Sequence, residues 1–409
     1  MNVRNLHKVA TTFTLLILTS QILIPMASGA NPDDGYPQGQ PAPGRTCPNS
    51  DEGTKNISEF NGKTFICTMI NGTKKWWIEG EALPTPSAPS SGGQTSNTQG
   101  SGANLPTAPT IEFTHTYILP ASSLAKMNVF EDVVYSKESA SQRLDIYLPK
   151  GVKNPPLLIY IHGGGFIFGD ENAMKFDDPA KLLEVFIKNG IAVASVNYRL
   201  ATEALFPTGG RDVKTSIRFL RANASKYGFD SKKFATLGDS AGSYLALMAA
   251  ITGNQKTVFD NPKDPNLKTS ASVSAVFDLF GNVNFLTMRA NNLKYPCQVA
   301  VDPNFAMDPN VNPWFGDITL PANRPAVDSA NLYPYLKASK SLPVFYIFHG
   351  TADCSVSKYD SIELDKEVKA LKGKSFLNLV PDEIHGGPKI WIEVAKFVPV
   401  LKKLFGTIK

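Results

Sequence analysis

The strongest chemical signal in the chain is the pentapeptide GDSAG at Gly238–Gly242. It lies where a buried strand is predicted to turn sharply into a helix, a context typical of a serine nucleophile. The turn strains the backbone at Ser240 and lifts its hydroxyl above the sheet, while the following helix favours developing negative charge. A chance turn of glycine and serine is the alternative, since the pentapeptide alone is not rare. The strand–turn–helix context favours Ser240 as a nucleophile.

A run of glycines, HGGGF at His162–Phe166, directly follows the predicted strand Pro156–Ile161. Attack on an acyl carbon creates an oxyanion, and adjacent glycine N–H groups can approach it because no side chain intervenes. The amide of Ala241, next to Ser240, supplies a further donor. A phosphate-binding loop is the competing interpretation, but the run lacks both the G-x-G-x-x-G spacing and a Lys-Ser/Thr ending. We therefore predict an oxyanion-binding loop.

A serine nucleophile needs a base, and only one of the 5 histidines has a suitable chain position. His7 falls in a predicted export signal, and His115 precedes the core strands. His162 belongs to the glycine run, and His349 stands at the end of a predicted strand. His385 follows the last predicted strand, where a base belongs in the chain order Ser, Asp, His. His385 is therefore the predicted base.

The base in turn needs an acid that orients its imidazole and stabilises the charged form. Asp353 lies on the loop after the predicted strand Val344–Phe348 and completes the order Ser, Asp, His. Asp382 and Glu383 are alternatives, but they stand too close to the histidine in sequence and are predicted to lie in a solvated turn. Asp239 is a further alternative, but its position next to the serine points it away from the base.

A sheet must position these residues, and from residue 111 onward predicted strands and helices alternate. Apolar runs separated by helices indicate a mainly parallel sheet covered on both faces, with the first, closely joined strands as an antiparallel edge. One helix is predicted over Val213–Tyr227 and another over Pro388–Phe405. The predicted strands are Val129–Tyr135, Arg143–Leu148, Pro156–Ile161, Ile191–Asn197, Phe234–Leu237, Val273–Leu279, Val344–Phe348 and Phe376–Val380.

The motifs together make the chain recognisable. From Asn128 to Lys409 it resembles the α/β-hydrolase superfamily, and more narrowly the esterases related to hormone-sensitive lipase and to bacterial feruloyl and acetyl esterases. The motifs that carry the resemblance are His162–Phe166, Asn197–Leu200, Phe206-Pro207, Gly238–Gly242, His349–Asp353 and His385–Gly387. Relatives often have a proline before the acidic residue of the stretch that here reads Ala201-Thr202-Glu203, and this departure concerns the substrate-side loop.

The resemblance implies a fold class and a set of site residues. The fold is α/β of the α/β-hydrolase type, with a mostly parallel eight-stranded sheet, helices on both faces and a cap insertion. A small disulfide-stabilised β unit is expected to precede it. The resemblance implies Ser240 as nucleophile and Asp353 and His385 as relay partners. The oxyanion donors that it implies are the amides of Gly164, Gly165 and Ala241.

The charge of the chain is modest, +5 at neutral pH, with basic and acidic residues interspersed. Because the sequence has no long basic run, nucleic-acid binding is not expected. The chemistry predicted above requires neither a metal nor another cofactor.

The first 30 residues, 1–30, are typical of an export signal. Arg4 and Lys8 precede the apolar stretch Ala10–Met26. Ser28 and Ala30 then occupy the −3 and −1 positions of a cleavage site. An uncleaved membrane anchor is the alternative, but the stretch is short and interrupted for a span of roughly 20 apolar residues. We predict a secreted protein, extracellular or periplasmic, with no membrane span.

Residues 45–82 form a small predicted β module, and residues 83–110 a flexible linker rich in Pro, Ser, Gly and Thr. Turn signals at Asn61-Gly62 and Asn71-Gly72 separate two or three short strands. Trp76 and Trp77 either form the mini-core of this module or stack on sugars, in contact with a glycan or the cell wall. The catalytic domain is predicted to occupy residues 111–409.

The chain has 4 cysteines, which suit an oxidising compartment. The simplest pairing joins Cys47 to Cys67 and Cys297 to Cys354, and the two other connectivities stay open. The family resemblance supports the second bridge, since relatives have a bridged cysteine after the acid. Cys354 as a nucleophile is the alternative, but it lacks a suitable motif around it.

These features predict a secreted serine carboxylesterase that hydrolyses small-molecule or polymer-attached esters through an acyl-enzyme. An amide or formamide hydrolase of the same fold is one alternative, and a catalytically silent binding protein is another. The stretch Asn282–Leu342 is the predicted cap. Its aromatic residues are expected either to line an acyl or aromatic pocket or to be core, and they are Phe285, Tyr295, Phe305, Trp314 and Phe315.

Overall fold

The computed structural model describes residues 55–57, 64–70, 73–78, 114–295 and 311–406. The chain divides into two units, Met1–Gly100 and Ser101–Lys409. The predicted export signal (1–30) and linker (83–110) lie outside the described residues. Among the described residues, no helix has the length and apolar character needed to span a membrane.

The described part of the first unit is a three-stranded antiparallel sheet. Its strands are β1 (Lys55–Ile57), β2 (Thr64–Ile70) and β3 (Thr73–Ile78), in that spatial order. Ile70 pairs with Thr73, so the Asn71-Gly72 dipeptide stands between the paired strands, as expected for a hairpin signal. The strands confirm the predicted short strands, whereas the side chains of Trp76 and Trp77 lie outside the description.

The second unit is built on an eight-stranded sheet. The strands are β4 (Met127–Val134), β5 (Arg143–Pro149), β6 (Leu157–Ile161), β7 (Ala192–Val196), β8 (Phe234–Asp239), β9 (Ala275–Leu279), β12 (Val344–Gly350) and β13 (Ser375–Val380). Their order in the sheet is β13-β12-β9-β8-β6-β7-β5-β4. Only β5 runs against the other strands, because it pairs antiparallel with both β4 and β7. The prediction of a mainly parallel sheet with an antiparallel edge is therefore confirmed.

The central strands are buried on both faces, which explains why they read as continuous apolar runs. Every residue of β6, β7 and β9 is buried. In β6, Leu157, Ile159 and Ile161 belong to one hydrophobic cluster, while Leu158 and Tyr160 belong to the cluster on the other face. This alternation follows from the two-residue period of a strand. Helices cover both faces and supply the other side of each cluster.

Two of the helices that cover the sheet are interrupted where the sequence predicted a continuous helix. The expected helix Val213–Tyr227 is two helices, because the Asn223 side chain donates to the Phe219 carbonyl at 2.9 Å and competes with the backbone. The expected C-terminal helix breaks near Pro399, which has no N–H to continue the ladder. The helices are α1 (Ala121–Leu124), α2 (Asp177–Lys188), α3 (Thr208–Ala222), α4 (Ala224–Tyr227), α5 (Ala241–Thr252), α9 (Lys358–Ala370), α10 (Pro388–Lys396) and α11 (Val398–Leu404), with a 3-10 helix at Glu171–Lys175.

A segment whose described residues form three helices and two short strands lies between β9 and β12 in the chain, at the position predicted for the cap. Its described elements are α6 (Phe285–Lys294), β10 (Val311–Asn312), β11 (Gly316–Asp317), α7 (Arg324–Ala330) and α8 (Leu332–Ala338). The carboxyl ends of β6, β8, β12 and β13 meet at one edge of the sheet, since these strands run parallel. This edge is where the predicted site residues come together.

Candidate active site

Ser240 occupies a strained turn between β8 and α5. Its φ of 52° and ψ of −120° are rare for a residue with a side chain, so the surrounding structure must hold them. The Ser240 N–H donates to the Leu279 carbonyl of β9 at 2.9 Å. At Gly242 a Cβ atom would lie 2.1 Å from the Ile161 carbonyl oxygen, so only glycine permits the close strand–helix approach. The local sequence thus produces the turn that the motif predicts.

His385 lies on the loop after β13 and links the serine to the acid. Its Nε2 is 2.9 Å from Ser240 Oγ, and its Nδ1 is 2.7 Å from Asp353 Oδ2. The Phe280 ring meets the imidazole edge-on, with centroids 4.7 Å apart. The His385 side chain is 24% exposed, so the imidazole is accessible from the sheet edge while the acid is fully buried. The structure therefore brings together the three residues predicted from the motifs.

Asp353 is held by donors on both of its oxygens. The backbone N–H groups of Ser355 and Val356 donate to Oδ1 at 2.8 and 2.9 Å. Burial alone would raise the pKa of this carboxyl. The charge of His385 and the hydrogen bonds from His349 and His385 outweigh burial and hold the pKa of Asp353 well below its usual range. The carboxylate therefore stays ionised to lower pH than an ordinary aspartate does.

The glycine loop after β6 has the geometry of an anion-binding turn. Gly164 has a φ of 102°, and a Cβ there would lie 2.2 Å from the Phe168 carbonyl oxygen. Among the described residues, the amides of Gly164, Gly165 and Ala241 donate to no acceptor in the protein. The three predicted oxyanion donors thus keep their N–H groups open to a ligand.

Asp239 supports this loop rather than the histidine. Its Oδ1 accepts a hydrogen bond from the Tyr160 hydroxyl at 2.7 Å and a longer one from the Gly163 amide at 3.2 Å. Burial raises the pKa of Asp239 to about 6. The expectation that Asp239 does not act as the acid agrees with these contacts, but its contact with the glycine loop was missed. The adjacency of GDSAG to HGGGF across β6 and β8 is the signal that could have found it.

Two further histidines have structural contacts of their own. The His162 imidazole stacks on Tyr198 at 4.5 Å and lies 2.8 Å through Nδ1 from the Gly163 carbonyl. Burial lowers the pKa of His162, and Nδ1–H is the donor because a carbonyl oxygen can only accept. His115 instead pairs with Asp177, its Nδ1 at 2.8 Å from Oδ2. Neither contact includes the serine.

His349 makes a contact that sequence reasoning missed. It is fully buried at the end of β12, and its Nε2 lies 3.2 Å from Asp353 Oδ2. The spacing of four residues within HGTAD, at the end of a strand, is the signal that could have revealed it. A second imidazole therefore touches the predicted acid.

The aromatic residues of the cap segment pack as core beneath the glycine loop. Phe285, Trp314 and Phe315 are all buried. Trp314 stacks on Phe166 of the loop, with ring centroids 4.3 Å apart. Of the two interpretations of these residues, the structure favours core over pocket lining, because stacking against the loop covers their faces.

Two other predictions for this region have different outcomes. Tyr295 is exposed and stacks on Tyr359 at 4.0 Å, and Phe305 lies outside the described residues. Asp382 is exposed, as predicted for a solvated turn, but the prediction was wrong for Glu383, which is buried. The Glu383 carbonyl accepts a hydrogen bond from the Ala352 amide at 3.0 Å. This contact holds the turn against the loop after β12 that carries Asp353, which we call the acid loop.

The described cysteines are consistent with an oxidised protein. Neither Cys67 nor Cys354 is a free thiol. Cys47 and Cys297, the partners predicted for them, lie outside the described residues, so the pairing stays a prediction. Within the described ranges, no group of three or more His, Cys, Asp or Glu side chains has the arrangement of a metal site.

With this geometry in hand, comparison with known proteins identifies the family. Residues 144–368, more than half of the chain, match the BD-FAE family model. The chain belongs to the BD-FAE family of α/β hydrolases. The BD-FAE match contains Ser240, Asp353 and the glycine loop, and ends before His385.

Curated relatives of this BD-FAE protein carry esterase names. Esterase LipC of Mycobacterium tuberculosis is 27% identical over 236 residues, covering 55% of this chain and 51% of LipC. Carboxylesterase NlhH of Mycobacterium tuberculosis is 31% identical over 145 residues, covering 34% of this chain and 44% of NlhH. The chain thus spans about half the length of the curated relatives it matches.

Solved structures extend the comparison over most of the second unit. A truncated form of a carbohydrate esterase from gut microbiota aligns with a TM-score of 0.55 and 26% identity, covering 68% of this chain and 96% of that chain. Apo Thermogutta terrifontis esterase 2 aligns with a TM-score of 0.50 and 19% identity, covering 70% of this chain and 97% of that chain. The second likeness concerns the fold alone.

Proposed function

We propose that this BD-FAE protein is a secreted serine carboxylesterase that hydrolyses carboxylic esters through an acyl-enzyme. The observation that carries the proposal is the continuous hydrogen-bonded chain from Ser240 Oγ through His385 to Asp353, with distances of 2.9 and 2.7 Å. A nucleophile, a base and an orienting acid in this order are the parts that acyl transfer requires.

Acylation begins when Ser240 Oγ attacks the acyl carbon and His385 Nε2 takes the hydroxyl proton. The carbonyl π electrons move onto oxygen, and the amides of Gly164, Gly165 and Ala241 stabilise this oxyanion. When the carbonyl re-forms, the bond to the alcohol oxygen breaks and His385 returns the proton to it. Water then attacks the acyl carbon while His385 takes its proton, and the acyl–Oγ bond breaks as His385 returns that proton to Ser240, which releases the carboxylic acid.

Asp353 supports the base during both proton transfers. Because its pKa is held well below the usual range, its carboxylate is present to accept the Nδ1–H of His385. This contact selects the tautomer whose Nε2 faces the serine and stabilises the imidazolium that forms after proton transfer.

The proposed substrate class is an ester attached to a carbohydrate or another polymer. Support comes from the gut-microbiota carbohydrate esterase, 26% identical over nearly its whole length. Bacteroides eggerthii supplies a second such structure, a bifunctional GH43-CE protein with the same identity and TM-score, of which this chain covers 35%. A carbohydrate on the alcohol side would suit export, which is itself a proposal that rests on residues 1–30.

Two further proposals involve some residues or side chains outside the described part of the chain. Bridges between Cys47 and Cys67 and between Cys297 and Cys354 would suit an exported protein. Contact of the small β module with a glycan rests on Trp76 and Trp77, and it stays a prediction.

The test compares the purified wild type with Ser240→Ala on p-nitrophenyl esters of graded acyl length, with an anilide alongside. We expect the variant to lose about 10⁵- to 10⁶-fold in kcat, because removal of a serine nucleophile leaves only binding and oxyanion stabilisation. Ser341→Ala, at an exposed serine, is the matched control and should retain full turnover.

The outcomes separate the three candidate functions. Ester turnover that disappears only in Ser240→Ala supports the proposal, and the acyl-length profile then sizes the pocket. Faster anilide than ester turnover would favour an amide hydrolase of the same fold. A wild type that turns over neither compound, or a Ser240→Ala variant as active as the wild type, would overturn the esterase proposal.

A further inference from the structure

His349 places a hydrogen-bond donor on the proposed acid. Its Nε2 lies 2.9 Å from the Val356 carbonyl oxygen and 3.2 Å from Asp353 Oδ2. A carbonyl oxygen can only accept, so Nε2 must carry a hydrogen. The N–H donates to the Val356 carbonyl, and Asp353 Oδ2 lies within ion-pair distance of the same nitrogen.

The oxygen that His349 contacts is the one that the proposed base uses. His385 Nδ1 meets Asp353 Oδ2 at 2.7 Å, so two imidazoles converge on a single carboxylate oxygen. The amides of Ser355 and Val356 meanwhile occupy Oδ1. With donors on both oxygens, the carboxylate cannot rotate about its χ2 bond without losing several contacts at once.

The other side of His349 faces α9 and β9. Its Nδ1 lies 2.7 Å from Ser361 Oγ on α9. The carboxyls of Asp278 and Asp360 also act on it, and each has one buried oxygen that finds no hydrogen-bond partner among the described residues. Burial raises the pKa of both groups, that of Asp360 to about 7. Burial lowers the pKa of His349, but the hydrogen bond and charge of Asp353 outweigh it, and the pKa is raised.

We propose that His349 is a positioning residue whose Nε2–H holds Asp353 Oδ2 in line with His385 Nδ1. It acts through the carboxylate and touches no substrate, because it is fully buried beneath the acid loop. The proposal rests on the esterase function proposed above. It implies that the acid loop needs its own histidine to keep the base aimed at Ser240.

Two amide substitutions test the roles of the two ring nitrogens of His349 separately. In His349→Gln the side-chain amide reaches the position of Nε2 and can still donate to Asp353. In His349→Asn it reaches only the position of Nδ1, so the contact with Ser361 survives while the donor to Asp353 is lost. Both variants keep a polar group in the same buried site, which makes them a matched pair.

The measurement is the pH dependence of kcat and KM for a p-nitrophenyl ester with the full chain. We expect His349→Asn to lower kcat about 100-fold with KM within about twofold, since misplacing a catalytic group by 1 Å costs about that much. Its acid limb of kcat/KM should move to higher pH, because Oδ2 loses a competing donor and pairs more strongly with charged His385. His349→Gln should restore kcat to within about fivefold and leave the acid limb in place.

Three results would overturn the proposal: equal kcat losses in the two variants, a loss expressed in KM, or an unmoved acid limb in His349→Asn. If the wild type itself shows no ester turnover, the esterase function fails first. The two failures are therefore distinguishable. A thermal melt of each variant identifies a general loss of structure, and that would appear as equal losses of activity in both variants.

Discussion

Two aspartates near the proposed nucleophile have pKa values that are shifted in opposite directions. Asp239 directly precedes Ser240, and burial raises its pKa to about 6. The Asp353 side chain is fully buried, yet its pKa lies well below the usual range. Removal from water penalises the charged form of both carboxyls. Burial alone therefore does not decide whether an aspartate is ionised.

The difference lies in the partners. Asp239 accepts hydrogen bonds from two neutral donors, the Tyr160 hydroxyl and the Gly163 amide. Asp353 faces two imidazoles, which carry or gain positive charge. The Tyr160 hydrogen bond, the charge of His385 and the Gly163 amide only partly offset the desolvation of Asp239, whereas two imidazoles in direct contact more than offset that of Asp353. The Asp353 carboxylate of the acid loop therefore stays charged down to low pH, whereas the Asp239 carboxyl that supports the glycine loop changes its charge near pH 6.

The largest expected effect comes from removing the charge of Asp353. Asp353→Asn should lower kcat about 10⁴-fold with little change in KM, because an amide no longer selects the correct tautomer of His385. Ionised Asp353 stabilises the fold above the ordinary aspartate pKa, and this stabilisation is lost as the pH falls through the lowered value. The variant's deficit in Tm should therefore be largest at neutral pH and shrink in acid.

Kinetics at pH 8 and melting curves across the acid range check this prediction. If the Asp353→Asn protein has the wild-type kcat, Asp353 does not act in the relay, and the functional difference between the two carboxyls is not the one proposed.

A smaller effect of opposite sign is expected at the other aspartate. Because the pKa of Asp239 is raised, its ionisation costs stability as the pH rises from its ordinary value through about 6. Asp239→Asn avoids that cost, so its Tm relative to the wild type should increase between pH 4 and pH 7. We expect kcat to fall about tenfold, because the Gly163 amide loses a charged acceptor.

The two asparagine variants are best measured side by side, since the comparison requires their relative Tm values to move in opposite directions with pH. A difference for Asp239→Asn that is constant across this range would show that Asp239 does not titrate as inferred.

The smallest effect comes from Tyr160, the hydroxyl donor to Asp239. Tyr160→Phe removes a hydrogen bond that lowers the pKa of Asp239, so that pKa should rise further. We expect kcat at pH 8 to change by less than about threefold, with a larger loss near pH 6.5, where more of Asp239 becomes protonated. Tyr198→Phe is the matched control, because its hydroxyl donates to the His162 carbonyl instead. Identical pH profiles for the two variants would contradict the assignment.

Sequence reasoning succeeded where the pattern is local or follows chain order. The apolar runs predicted eight strands because buried parallel strands lack alternation. The strained turn at Ser240 has a five-residue signature, and the positions of Asp353 and His385 follow from chain order. These residues meet at the sheet edge as the motifs indicate.

Sequence reasoning failed where side chains meet across long stretches of chain. Contacts of Asp239 with Tyr160, 79 residues away, have no periodic signature. Trp314 packs against Phe166 and belongs to the core, a choice that the sequence left open between core and pocket lining. The break at Asn223 depends on one side-chain hydrogen bond that competes with a strong helical pattern.

The long sequence separation between Ser240 and His385 has a consequence for biosynthesis. The two residues are 145 positions apart, so at about 5–20 residues per second a nascent chain carries the serine for roughly 7 to 30 seconds before the histidine is made. The strained turn itself depends on the Leu279 carbonyl, which is also translated after it. The serine in the growing chain is therefore inactive. Hydrolysis becomes possible only after β13 has joined the sheet and the loop that follows it has placed His385 beside Ser240.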